Sequence, residues 1–420
     1  MKPIIKKIKA KVLEKKDSLR FELAPLFLRR YQDHLNSSPK YFRRLPAASI
    51  PTPSFNSKGN ITTLAKSRVL HLVHWFELGG AEKFALECAD FVKKNGGVSF
   101  AISTVPSKNK DKPAFEETCS EVIEFDKIGG KPEFLSFLFE FLRSREITTL
   151  HIHHSSLGYY HLPLIRAIFP ELKIVDSAHV LEHFTGGYIE TSIYYSKYID
   201  THHVISNSLR EYYLKENVAP DNLQLLYLSG TSQPLSSKAT KRSGSFKVAF
   251  YGRFEWQKQL HVTSAIIKQC HKNKSEGIEF HLTGQGSMEQ PFKDSLKGLI
   301  KQGYVTFYER NDNKDEVFSD IDLLLINSVN EGLTLTAFEA ISRGIPVLST
   351  DVGAQRELLT TEGVVDFLDR NLISKMSKKI LSLSDSSLET EKLHSAQLEN
   401  FLKMQEQSFC ETTLGQLYDQ

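Results

Sequence analysis

Residues 322–358 read DLLLINSVNEGLTLTAFEAISRGIPVLSTDVGAQREL. An apolar run at 322–326 leads into a polar turn, a helix-compatible run follows as far as Glu339, and a second apolar run at 346–349 closes the segment. Short apolar, β-branched runs separated by helical stretches are the mark of βα units, and such units in succession build a parallel sheet.

The same alternation extends in both directions. Downstream of residue 246 it predicts strands at 247–251, 278–282, 305–308, 322–326, 346–349 and 363–367. Upstream it predicts strands at 68–75, 98–105, 122–125, 148–153, 173–179, 202–206 and 223–228, with helical stretches such as 81–94 between them. The two series are separated by SGTSQPLSSKATKRSGS (229–245), which is rich in small polar residues, has no apolar period and reads as a linker. At 420 residues the chain is longer than the roughly 250–300 at which one core stops growing. The expectation is an α/β protein of two doubly wound, Rossmann-like domains facing a cleft. Residues 67–230 form the first and 246–420 the second, whose last helix is free to cross back; 231–245 link them, and 1–66 are an appended arm. No short-period repeat points to a solenoid or propeller. Ligands of open α/β sheets bind beyond the carboxyl ends of the strands, so the strand-to-helix turns are where chemistry belongs.

Composition narrows the class. Hydrophobic residues make up 40% and charged residues 25%, and no run reaches the ~18 apolar residues of a membrane span. Cys88, Cys119, Cys270 and Cys410 are far apart without CxxC spacing, which fits a reducing, cytoplasmic compartment. A net charge of +3 is too small to argue for nucleic acid, but it is concentrated at the start. In MKPIIKKIKAKVLEKK, Ile5, Ile8, Val12 and Leu13 fall near helical spacing among Lys6, Lys7, Lys9, Lys11, Lys15 and Lys16. The pattern suits a basic helix lying on the anionic inner face of a membrane as well as it suits a solvated helix packed on a partner. Its basic start lacks the uninterrupted apolar stretch of a secretory signal. Residues 17–66 are basic and broken by Pro39, Pro46, Pro51 and Pro53.

Two carboxylates dominate the turn after 322–326. Glu331, the loop carboxylate before Gly332, lies eight residues ahead of Glu339, the helix carboxylate, about two helical turns, so both can face one pocket. Between them the amides of Leu333, Thr334 and Leu335 would open a helix whose N-terminus attracts phosphate. Cations occur in VAFYGRFEWQKQ after the first strand of the same half: Gly252 permits close backbone approach, Arg253 offers a bidentate fork, and Lys258 adds a point charge. Alone, GRxxxxK is a common accident. With two carboxylates downstream it suits a sugar nucleotide, whose hydroxyls donate to carboxylates and whose diphosphate needs amides and cations.

At this point residues 68–359 resemble the retaining glycosyltransferases of family 4, which have the GT-B fold. The resemblance implies that Gly252, Arg253 and Lys258 hold the donor diphosphate, that Glu331 contacts the donor sugar and that Glu339 contacts its ribose. The family's G-x-G turn resembles Gly284-Gln285-Gly286, and its G-x-x-E resembles 353–356 shifted by one, giving Glu357 a structural role. In WFELGGAEKFALE, Gly79 and Gly80 resemble the family's G-G-x-E turn, with Glu82 in the acidic place; the GxGxxG of a dehydrogenase is absent. His179 resembles the histidine beside the transferred sugar, where it would hydrogen-bond that sugar and support developing charge. The implied reaction is retaining transfer from a nucleotide-sugar donor to a saccharide or lipid-linked acceptor, in envelope polysaccharide or lipopolysaccharide synthesis, with no metal or other cofactor. Thr334, Gln259 and Ser229 depart from the family's small residue, glycine and asparagine. Two other readings stand beside this one: an epimerase or hydrolase of sugar nucleotides on the same fold, and a non-catalytic binding subunit.

Other features read more simply. Asp320-Ile321-Asp322 spells a metal-diphosphate signature of another glycosyltransferase fold but runs straight into the apolar strand, which favours a strand-entry role. His151, His153 and His154 lack a cysteine or carboxylate at ligand spacing and are expected to line the cleft near Ser155 and Ser156. Phe184, Tyr188, Tyr194, Tyr195 and Tyr198 form an aromatic set that reads as core.

Overall fold

Strand β1 (Arg68–Val73) is buried at every residue but its first, β4 (Thr149–His153) and β11 (Leu323–Ile326) are buried throughout, and so is β12 (Val347–Thr350). Strands covered on both faces belong to parallel sheets flanked by helices, and near-continuous apolar runs are their sequence form. The computed structural model describes residues 67–77, 79–130, 133–182, 186–227, 244–308, 318–406 and 411–418. The basic arm, most of the linker, Phe184 and Cys410 lie outside the described residues.

Contacts divide the described chain into two compact units, one of residues 67–227 with 411–418, the other of residues 244–406. The first is built on β1, β2 (Val98–Ser103), β3 (Glu121–Glu124), β4, β5 (Lys173–Ser177), β6 (Thr201–Val204) and β7 (Leu223–Leu225), in the order β3-β2-β1-β4-β5-β6-β7. The second is built on β8 (Phe246–Tyr251), β9 (Ile278–Thr283), β10 (Val305–Tyr308), β11, β12 and β13 (Val364–Val365), in the order β10-β9-β8-β11-β12-β13. Every pairing in both is parallel. The order reverses between β1 and β4 in one sheet and between β8 and β11 in the other. At such switch points the flanking loops diverge and leave room for a ligand. The fold class read from periodicity is the one observed, each strand falling within about two residues of its expected span or shorter at its carboxyl end.

Among the described residues no helix is long and apolar enough to cross a membrane. Cys88, Cys119 and Cys270 are free, buried thiols. The helix Glu411–Tyr418 belongs to the first unit, where it packs on the helix Gly80–Lys94.

One face of the first sheet carries a polar core. Register places His71 opposite His151, and His153 opposite Ser177, which in turn pairs with His203. Alternation along the strands sends these side chains to one face. They form a chain of hydrogen bonds: Tyr418 Oη to His151 Nδ1 at 2.8 Å, His151 Nε2 to Ser177 Oγ at 2.8 Å, Ser177 Oγ to His203 Nδ1 at 2.9 Å, and His203 Nε2 to the Leu226 carbonyl at 2.8 Å. A carbonyl only accepts, so His203 carries its proton on Nε2, Ser177 donates to its Nδ1, His151 donates from Nε2 to Ser177, and Tyr418 donates to His151 Nδ1. Burial disfavours the imidazolium, and the pKa values of His151 and His153 fall well below the ordinary value, that of His71 to about 3 and that of His203 to about 4.

Candidate active site

In the second unit the chain leaves β8 through Gly252, Arg253 and Phe254 and leaves β9 through Thr283, Gly284 and Gln285. The two turns are joined by hydrogen bonds: Gly252 N–H to Thr283 O at 3.1 Å and Phe254 N–H to Gln285 O at 2.8 Å. A Cβ at Gly284 would stand 1.9 Å from the Gly252 carbonyl oxygen, and one at Gly286 would stand 2.4 Å from that of Phe254. The glycines of the G-x-G turn are therefore demanded by backbone packed against backbone.

A short 3-10 turn, Trp256–Lys258, then carries Lys258 toward β11. Lys258 Nζ contacts Glu331 Oε1, and Ser328 Oγ donates to the same oxygen at 2.7 Å. The Lys258 and Glu331 side chains retain 19% and 14% exposure, so the pair is shielded yet reachable. Lys258 also lies over Gly252, where a Cβ would sit 3.6 Å from its Cε. Gln259, which follows, is left-handed with φ 44°. This conformation suits glycine, which the resemblance leads one to expect at 259, and here it is held from outside: the Gln259 carbonyl accepts from Asn327 Nδ2 at 3.2 Å, and the Gln257 carbonyl accepts from Val329 N–H at 2.9 Å. Arg253 is exposed, with its Nη2 3.4 Å from Gln257 Oε1.

The carboxylate pair differs from its expected geometry. Residues 331–334 are not helical; the helix spans Leu335–Ser342 with Thr334 as extended N-cap (φ −81°, ψ 108°). Glu331 is the loop carboxylate that the sequence reads, but helical spacing does not relate it to Glu339, which is 7% exposed within the helix. Leu333 and Thr334 lie ahead of the helix, so of the three amides expected to open it only that of Leu335 is helical. The cause is local: the Thr334 hydroxyl accepts from Gln355 Nε2 at 2.8 Å, and the Glu331-Gly332 turn is pressed by the turn after β12. There Gly353 has φ 58°, and a Cβ on it would meet the Glu331 carbonyl oxygen at 2.0 Å, while Ala354 N–H donates to Gly332 O at 3.2 Å.

Gly252, Lys258, Ser328 and Glu331 thus meet at the switch point between β8 and β11, with Gly284 and Gly353 shaping the backbone around them. Ser328 escaped the sequence reading as part of this site, since a serine without motif spacing carries no signal. The Asp320–Asp322 pair sits at the opposite, amino end of β11. Asp322 accepts from Lys247 N–H at 2.8 Å and Asp320 pairs with Lys247 Nζ, which is the strand-entry role.

In the first unit, Gly79 caps the helix Gly80–Lys94 after β1, and its N–H donates to Glu82 Oε2 at 3.3 Å. A Cβ at Gly79 would stand 2.8 Å from that oxygen, whereas one at Gly80 would meet nothing within 4 Å. His179, after β5, is 3% exposed, and both of its ring nitrogens are buried without a hydrogen-bond partner among the described residues. Its ring stands edge-on to Phe84, His154 and His203 at centroid distances of 5.4, 5.4 and 5.7 Å. Burial, with His154 and His203 adding to it, holds its pKa well below the ordinary value.

His151 and His153 do not line a cleft; they are buried in the sheet core at 0% and 1% exposure. With His71 they bring one ring nitrogen each within 4.8 Å of one another. A metal-ligating imidazole normally donates its other nitrogen to a partner. Here His151 has both nitrogens engaged in the hydrogen-bonded chain, and among the described residues His71 Nε2 and His153 Nδ1 have no partner, so the set fits an ordered neutral core better than a ligand set. Tyr195 and Tyr198 are core and Tyr194 packs against it, but Tyr188, half-buried, also makes polar contacts at the strand ends.

Residues 232–400 match the model of the family described as glycosyl transferases group 1. An uncharacterized 41.2 kDa protein in the cps region of Klebsiella pneumoniae is 24% identical over 342 residues, covering 72% of this chain and 89% of that protein. The O-antigen biosynthesis glycosyltransferase WbnH of Escherichia coli is 23% identical over 297 residues, covering 69% and 82%. Among solved structures, Anabaena Alr3699/HepE in complex with UDP superposes with a TM-score of 0.66 at 14% identity over 84% of this chain and 98% of that one. Its complex with UDP-glucose gives 0.63 at 13% identity over the same shares. These structural likenesses carry the fold, two parallel α/β sheets in the GT-B arrangement of strands, and the family match falls on the half that holds Lys258, Ser328 and Glu331. On both grounds the chain is a glycosyltransferase of the GT-B fold.

Proposed function

We propose that the chain is a retaining glycosyltransferase that takes a sugar from a nucleotide-sugar donor and places it on a saccharide or lipid-linked acceptor of an envelope polysaccharide or lipopolysaccharide. The observation that carries this reading is the joining of Lys258, Ser328 and Glu331 at the β8–β11 switch point. A carboxylate held by an ammonium and a hydroxyl is oriented before a ligand arrives, so less ordering is left to be done on binding.

In this reading the second unit binds the donor. Arg253 and Lys258 take the diphosphate oxygens and stabilise the negative charge that grows as the glycosidic bond to phosphate breaks, without a metal ion. Glu331 accepts from the donor sugar's hydroxyls and Glu339 from the ribose. Gly252, Gly284, Gly332 and the amides of Leu333, Thr334 and Leu335 bring backbone close to the phosphates. The first unit binds the acceptor, with Gly79 and Gly80 giving close backbone approach and His179 hydrogen-bonding the transferred sugar. An O-antigen enzyme among the relatives and a UDP-glucose complex among the structural neighbours support the acceptor and donor classes. The location follows as the cytoplasmic side of an anionic membrane.

A panel of UDP-, GDP- and dTDP-sugars tests the reading by thermal shift and by release of nucleoside diphosphate. A fitting donor stabilises the protein by mass action, about 2.7 kcal/mol at a hundredfold excess over Kd. Lys258→Ala should abolish most of the release. No stabilisation by any member would favour a non-catalytic subunit, and epimerised or fully hydrolysed donor at a rate that no acceptor extract raises would favour the epimerase or hydrolase.

A further inference from the structure

His154 stands where the chain leaves β4, in the left-handed region with φ 53°. A residue with a Cβ adopts that conformation at a cost and keeps it only where its surroundings enforce it; glycine would sit there freely. Three contacts hold His154. Its ring lies flat on Tyr188, with centroids 4.7 Å apart and planes at 5°. Its carbonyl oxygen is 3.2 Å from His74 Nδ1. Its Nε2 accepts the backbone N–H of His179 at 3.0 Å.

The protons can be assigned from the partners. An amide only donates, so His154 Nε2 is bare and its proton is on Nδ1. A carbonyl only accepts, so His74 carries its proton on Nδ1, from which it also reaches the Tyr188 hydroxyl at 2.9 Å. Ser156 Oγ donates to the same hydroxyl at 3.4 Å. Desolvation lowers the pKa of His154 to about 4 and lowers that of His74, so both rings are neutral near pH 7 and Nε2 stays an acceptor.

The consequence falls on His179. Its ring is boxed edge-on by Phe84, His154 and His203, which limits rotation, so the position of the ring follows the backbone that carries it. Among the described residues the side chain that accepts from that backbone amide is His154, which stays in an unfavourable conformation while it makes this directional bond. We propose that His154 is a positioning residue, clamped on Tyr188, which fixes the backbone of His179 and thereby the ring that addresses the transferred sugar; the inference rests on the role given to His179 under Proposed function. Sites of this kind are sensitive to small displacements, because misplacing a group by about 1 Å costs about a hundredfold in rate.

Two substitutions in the full-length protein test it. His154→Gly removes the acceptor and at the same time relieves the left-handed strain, so loss of the fold is not its expected outcome. His154→Asn tolerates the left-handed conformation and keeps an acceptor oxygen on a shorter stem. The readouts are hydrogen exchange at the His179 amide and release of nucleoside diphosphate from the member of the UDP-, GDP- and dTDP-sugar panel that the wild type turns over fastest. In His154→Gly the amide should exchange at least about tenfold faster, and kcat should fall about tenfold or more while KM for the donor stays within about twofold. His154→Asn should lie between it and the wild type. In a His179→Ala background, His154→Gly should lower kcat no further, since it acts through the ring already removed.

Unchanged exchange in His154→Gly overturns the proposal, as does a kcat loss that persists in full in the His179→Ala background or a KM rise with kcat intact. If His179→Ala turns over donor like the wild type, or no panel member is turned over, the reading of His179 fails and the positioning role falls with it. If His179→Ala is impaired and His154→Gly is not, only the positioning role fails.

Discussion

Lys258, Ser328 and Glu331 arrive from two turns and form one hydrogen-bonded group, and this sets unequal expectations for the two cations. Lys258→Ala removes a charge-assisted contact and leaves a shielded carboxylate without its cation, a loss of about 1.5–3 kcal/mol that translates into roughly tenfold to a hundredfold in kcat. Arg253 is exposed and makes a long contact to Gln257, so Arg253→Ala should cost no more than Lys258→Ala. A larger loss on Arg253→Ala in steady-state kinetics would contradict this ordering. Glycines give a second residue-scale expectation. An alanine at 353 meets both an unfavourable φ of 58° and the Glu331 carbonyl, so Gly353→Ala should destabilise the second unit by about 1–3 kcal/mol and raise KM for the donor. Gly80→Ala meets open space and should leave the unfolding midpoint unchanged to within about 0.5 kcal/mol. A midpoint in urea that moved equally for both would refute the packing argument.

At the scale of elements, the helix Glu411–Tyr418 lies far along the chain from the sheet it serves. Tyr418 is 1% exposed, donates to His151 at the head of the chain of bonds that ends on the Leu226 carbonyl, and shares a side-chain hydrogen bond with Cys88. Tyr418→Phe keeps the ring and leaves His151 Nδ1 a buried acceptor without its donor, which should cost the first unit about 1–3 kcal/mol of stability. Urea unfolding should show the loss, and an unchanged midpoint would mean that the hydrogen bond contributes nothing. The strands were legible because a parallel strand buried on both faces must be a short apolar run, whatever it packs against. The helix after β11 was legible as a helix but not in its start. Helical periodicity cannot see that Thr334 is held extended by Gln355, a residue from the next βα unit.

For the whole molecule, the distribution of neutral histidines predicts how stability follows pH. Burial lowers the pKa values of His71 to about 3 and of His154 and His203 to about 4, and holds those of His151, His153 and His179 well below 6.5. All six lie in the first unit. At pH values above 6.5 neither the folded nor the unfolded chain holds protons on these rings. Below it the unfolded chain binds them and the folded chain does not, so stability falls as pH drops from about 6.5 toward about 4. The chain has two tryptophans, Trp75 and Trp256, so Trp75 fluorescence in a Trp256→Phe background reports on the first unit. Its urea midpoint should decline from about pH 7 to about pH 5, and a flat profile would show that the rings charge in place.

What the sequence by itself determined is the α/β class, the run of strands and the kind of chemistry, because burial on both faces, linker composition and the pairing of cations with carboxylates are local properties that survive without coordinates. What only the tertiary structure decided is which of those groups touch and why certain residues must be glycine. Lys258 and Glu331 are 73 residues apart, and the reason for glycine at 284 and 353 is a carbonyl oxygen from a different turn. His151 and His153 of β4 were expected to line the cleft and proved to be core, since a hydrogen bond between neighbouring strands removes the cost of burying a polar ring and leaves no trace in the spacing of either strand.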